Sequence, residues 1–160
     1  MIFVKLIIIL TFSLISIFAA SDDPVYGENG MIVSTSRQAS QAGVEILKKG
    51  GNAIDAAVAV GFALAVTSSS NGNLGGGGFL VGVMNNGKSF SLDHREKAPR
   101  TSQRNMFLNE DGDVINGMSL YSRASSGVPG TVDGLIKVLE DHGSGNISLI
   151  DKFVSPGKKL

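Results

Sequence analysis

Gly50-Gly51-Asn52-Ala53-Ile54-Asp55-Ala56-Ala57-Val58-Ala59-Val60-Gly61-Phe62-Ala63-Leu64-Ala65-Val66 is the stretch on which the fold turns. Asn52 can accept the first amides of a helix, and Asp55 lies in the first turn, where negative charge suits the helix dipole. From Ala53 to Val66 Asp55 is the only polar residue, so the helix is apolar on every side and belongs between layers of a core. Many of its residues are alanine or glycine, which permit close approach of neighbouring elements. The run is too short to cross a bilayer, which takes about 20 residues.

Working outward, residues 38–49 read as a preceding helix. Ala39, Ala42 or Gly43, Ile46 and Leu47 fall at helical spacing, Lys48 and Lys49 close the last turn, and Gly50 suits a left-handed end. Residues 31–34 are β-prone and predict a strand; 21–29 are a polar lead-in. Downstream, 67–77 is a loop of Ser, Asn and Gly. Residues 79–84 and 89–92 predict two strands joined by Asn85-Asn86-Gly87, a hairpin signal. Residues 93–104 form a charged loop and 109–112 a turn. Residues 132–141 predict a helix with Val132, Leu135, Ile136 and Leu139 as its stripe, ended by Gly143. A last helix is expected over 147–160, with Ser148 as cap. The set is α+β, with no internal repeat.

The first residues read differently. Lys5 gives a positive n-region, residues 6–18 are apolar, and Ala19-Ala20-Ser21 offers small residues for cleavage. Residues 1–21 are therefore expected to be a signal peptide, sending the protein out of the cell or to the periplasm; a membrane anchor is the alternative. Residues 22–160 are then one domain. Fourteen basic residues balance fourteen acidic ones, which offers no footprint for nucleic acid. With no cysteine, thiol catalysis and cysteine-bound metal are excluded. His94 and His142 are not at metal-ligand spacing, so neither a metal nor a cofactor is expected.

Three stretches could carry chemistry. Gly75-Gly76-Gly77-Gly78 lacks the Lys-Ser or Lys-Thr of a phosphate loop and precedes a strand, not a helix. It is either a flexible loop or a tight turn packed under a substrate pocket. Asp93-His94-Arg95-Glu96-Lys97-Ala98-Pro99 ends a strand. On its residues alone, Arg95 reads as a surface ion-pair partner of Asp93 or Glu96; the alternative is a two-point grip on a substrate carboxylate. Ser125-Ser126 has no evident base partner and reads as loop serines.

Taken together, these stretches resemble one family. Residues 50–59 are similar to the GGNAxDAAVA helix start of γ-glutamyltransferases (glutathione hydrolases), and 72–79 to their glycine loop. Residues 93–99 resemble their xRExAP segment, and Ser126-Gly127-Val128-Pro129-Gly130-Thr131-Val132 their (S/T)GxPGTV turn. The four occur in the family's order. Ser69 and Ser70 stand where the family often has a proline.

The resemblance implies an N-terminal-nucleophile hydrolase, a four-layer αββα sandwich made as a precursor that cuts itself into two subunits. The freed threonine of the small subunit attacks the γ-glutamyl amide of glutathione and related compounds, and the glutamyl group passes to water or an amino acid. It implies that Arg95 holds the α-carboxylate of that group. The chain is then expected to be the N-terminal part of the large subunit, with the small subunit as partner. The nucleophile would lie beyond Leu160, leaving this stretch without catalytic residues or activity of its own. The other readings are a secreted non-catalytic γ-glutamyl-binding module or pseudoenzyme, and a self-processing amidase of different acyl preference.

Overall fold

The computed structural model describes residues 24–71 and 74–148. Residues 24–31 belong to one compact unit and residues 32–148 to a second, which holds every element below. The expected signal peptide, and the expected final helix beyond Ser148, lie outside the described residues.

Helix α1 spans Arg37–Lys48 and is capped by Ser36, whose Oγ accepts the Ala39 amide at 3.3 Å. Its buried face is Ala39, Ala42, Gly43 and Ile46, as the spacing predicted, and Leu47 is half-buried. Gly50 has φ +87°, the left-handed turn expected after it. Helix α2 spans Ala53–Thr67 and opens with the expected Asn52 cap, which Asp55 completes as a capping box: Asn52 Oδ1 accepts from Ile54 and Asp55, and Asp55 Oδ2 accepts from Asn52 at 2.8 Å.

The expected strand at 31–34 does not form. Ser34 instead bonds through its hydroxyl to the Ser36 carbonyl and to Ser40, serving the start of α1, and no strand among the described residues runs beside it.

Strands β1 (Phe79–Val83) and β2 (Ser89–Asp93) form an antiparallel hairpin in which Leu80 faces Leu92 and Gly82 faces Phe90. The loop Asn85–Asn86–Gly87 closes on a Gly87 N–H bond to the Met84 carbonyl at 2.9 Å, with Gly87 at φ +80°. It is thus a three-residue loop with one left-handed glycine. A four-residue helix α3 (Met118–Tyr121) and a 3₁₀ turn (Arg123–Ser125) follow, then α4 (Thr131–His142).

Packing is layered. Leu80, Leu92 and Phe90 turn inward onto Ile54 and Val58 of α2 and Leu135, Val138 and Leu139 of α4. On its other side, α2 packs Ala56 and Ala59 with Ile46 and Ile147. A side chain on Gly43 would stand 2.7 Å from Val60, and one on Gly61 3.0 Å from Leu135, so the small residues do permit close helix contact. The burial is not complete, for Ala53, Ala57 and Val66 of α2 are exposed. The stripe of α4 is Gly134, Leu135, Val138 and Leu139; Val132, expected inside, is 40% exposed, because α4 meets the core through Gly134. The hairpin's other face is uncovered among the described residues: Phe79, Val81 and Val83 are 67%, 77% and 72% exposed.

Candidate functional site

The strap Asp93–Lys97 leaves the end of β2 and runs between two other motifs. On one side is the glycine loop. The His94 amide donates to the Gly78 carbonyl at 3.0 Å. A side chain on Gly77 would lie 2.6 Å from the His94 oxygen, 2.7 Å from Arg95 Cα and 2.8 Å from the Glu96 nitrogen. On the other side is the turn before α4. Lys97 and Val128 exchange both backbone bonds, at 3.1 and 2.8 Å, and a side chain on Gly130 would run into the His94 carbonyl oxygen. The two flanks also hold each other: the Gly76 carbonyl accepts from Gly130 at 2.9 Å and Thr131 at 3.0 Å.

Of the two readings of Gly75–Gly78, the packed turn is the one observed. Gly77 and Gly78 serve close approach, not left-handed backbone, since neither has positive φ.

Arg95 stands at the lip of a cleft of about 430 Å³, whose lining includes Asp93, Val128, Pro129, Asp133 and Lys137. Its amide donates to Asp93 Oδ1 at 3.0 Å, and its guanidinium lies 5.8 Å from the Phe79 ring centroid. Its ion contact is Nε to Glu96 at 4.0 Å, with the Arg95 side chain 64% exposed. A pair that long and that wet contributes little, so the fork can still meet a carboxylate. Lys137, on the same cleft, is engaged: its ammonium bonds Asp141 at 2.9 Å, which raises its pKa and lowers that of Asp141.

Ser125 donates its hydroxyl to the Ser122 carbonyl at 2.6 Å, as a loop serine does. Among the described residues, no group of three or more His, Asp or Glu is placed to hold a metal.

Reading the sequence did not single out His94 or Gly134. The imidazole of His94 fills the space that a side chain on Gly134 would need, and it forms part of both the Arg95 cleft and a cleft of about 240 Å³ bounded by Gly76, Gly77 and Leu135. A glycine inside a helix was the available signal, since it marks a close approach.

The family model described as gamma-glutamyltranspeptidase matches residues 39–157. The chain is 50% identical over 135 residues to the glutathione hydrolase proenzyme of Pseudomonas sp. (strain A14), covering 84% of this chain and 24% of that one. It is 47% identical over 137 residues to the glutathione hydrolase proenzyme of Escherichia coli K12, covering 86% and 23%. Among solved structures, the crystal structure of Helicobacter pylori gamma-glutamyltranspeptidase superposes with a TM-score of 0.74 at 42% identity, over 84% of this chain and 38% of that one. The chain thus spans about a quarter of the length of the curated relatives it matches. The fold is the expected one, an N-terminal portion of the αββα sandwich of N-terminal-nucleophile hydrolases.

Proposed function

Because the chain belongs to the gamma-glutamyltranspeptidase family, we propose that it forms the N-terminal part of the large subunit of a secreted glutathione hydrolase precursor, with Arg95 as the anchor for the substrate α-carboxylate. The observation that carries this reading is the packing of two other motifs, the glycine loop and the turn before α4, on the backbone of residues 94–97, with the Arg95 side chain left exposed at a cleft. Such an arrangement spends its packing on the main chain and leaves the charged fork to solvent, which suits a ligand contact better than a stability contact.

In this reading the γ-glutamyl compound enters with its α-carboxylate on Arg95, held by two parallel hydrogen bonds. That fixes where the γ-amide carbonyl points. The threonine that the resemblance assigns to the small subunit attacks that carbonyl through its hydroxyl, the C–N bond breaks and the amine leaves with the hydroxyl's proton, and water or an amino acid then takes the acyl group and frees the threonine. Residues 22–160 act here as a partial large-subunit domain, and the small subunit of the same precursor is the partner. The apolar run at residues 6–18 supports export. Among the described residues no helix is long and apolar enough to cross a membrane.

The test is expression of the complete reading frame that carries this chain. Two subunits on a denaturing gel, with release of glutamate from glutathione, are expected. A folded product that stays in one piece and releases none would favour the non-catalytic binding module.

A further inference from the structure

Arg95 owes little of its aim to its own side-chain contacts: more than half exposed, it has among the described residues a 4.0 Å ion contact to Glu96 and lies 5.8 Å from the ring centroid of Phe79, itself exposed. Its neighbour is held from several sides. The His94 amide bonds Gly78, and its carbonyl is pressed between Gly77 and Gly130. Its ring is lodged between the glycine loop and α4. A side chain on Gly78 would stand 3.1 Å from Cε1 and 3.4 Å from Nε2, and one on Gly134 would overlap Cβ and Cγ and come to 3.0 Å from Cδ2. Nδ1 is buried without a hydrogen-bond partner among the described residues, so packing holds the ring at that atom.

We propose that His94 is a positioning residue: its flat ring, wedged between Gly78 and Gly134, locks the strap and thereby sets the direction in which Arg95 leaves it. This rests on Arg95 being the carboxylate anchor. The role is one of shape. A ring of similar outline without nitrogens should serve, because the buried Nδ1 makes no bond that would be lost. Removing the ring leaves a gap between the two glycines, and the strap can shift into it. Misplacing a clamp by a fraction of an ångström is felt in binding geometry before it is felt in folding.

The experiment uses the complete precursor and steady-state hydrolysis of a γ-glutamyl anilide, with subunit formation followed on a gel. His94→Ala is expected to raise KM about tenfold and to leave kcat per processed enzyme within about twofold. His94→Phe should process normally and keep KM within about twofold of the parent, the rescue that a shape role requires. His94→Leu fills the volume without the flat outline and should follow His94→Ala, and it serves if the alanine variant does not process. Arg95→Lys is run beside them. If Arg95→Lys raises KM while the Ala and Leu variants do not, the wedge is overturned and the anchor stands. If Arg95→Lys leaves KM unchanged, the anchor falls and the wedge with it. Loss of processing in both His94→Ala and His94→Leu would make the ring a folding element, and a phenylalanine variant as impaired as the alanine one would contradict a role of shape.

Discussion

Asp55 accepts a hydrogen bond from the backbone amide of Ser144 at 3.2 Å, joining the start of α2 to the turn that follows α4. The same carboxylate oxygen closes the capping box with Asn52, and the Asn52 side chain donates to the His142 carbonyl at 2.9 Å. Two residues that begin a helix therefore also tie it to the end of another one, 89 positions away for the Asp55–Ser144 bond.

Asp55→Ala should accordingly cost more than a cap. It removes a buried carboxylate and leaves two part-buried amides without their acceptor, for a loss of about 2–4 kcal/mol. The urea midpoint of the complete precursor should fall. Asp141→Asn, which breaks only the exposed pair with Lys137, should leave it unmoved. Equal midpoints for Asp55→Ala and the parent would show that the linkage is not a stabilising one.

The two kinds of glycine should separate on substitution. Gly87→Ala meets open space and is penalised for its φ of +80° alone, at about 1–2 kcal/mol. Gly77→Ala has ordinary φ but drives a methyl into the backbone of His94, Arg95 and Glu96, and the strap would have to move. The yield of processed subunits should drop sharply for Gly77→Ala and stay near normal for Gly87→Ala. The reverse order would show that the glycine loop is not packed as described.

Residues 22–160 produced alone should melt without a sharp transition and bind a hydrophobic dye. The exposed apolar row Phe79, Val81 and Val83 gives the reason, for one face of the hairpin is left to water. A cooperative melt of a monomer would contradict this and would favour a self-standing module.

Much of this was legible in the sequence, because capping and turn chemistry are local. Asn52, Asp55, Gly50 and the Asn-Gly hairpin signal act within a few residues of themselves, and each appears where its chemistry put it. What escaped depends on distant partners. Nothing near residues 31–34 says that a β-prone run will lack a neighbouring strand. Val132 looks like core until Gly134 is seen to receive His94, which turns α4 by about one position. Arg95 read alone as a surface ion pair, and a long, exposed contact to Glu96 is there; the cleft beside it, lined by Val128, Pro129 and Asp133, is what the adjacent residues do not encode.

The anchor is tested most directly by the kinetics of Arg95→Lys in the complete precursor, read beside a gel of subunit formation. Lysine keeps the charge and loses the fork. Losing a charge-assisted pair costs about 1.5–3 kcal/mol, so KM for a γ-glutamyl anilide should rise about tenfold to hundredfold. Subunits should still form, because self-cleavage uses no free substrate. A variant that processes normally and keeps the parent KM would return Arg95 to the surface ion pair that its neighbours suggest.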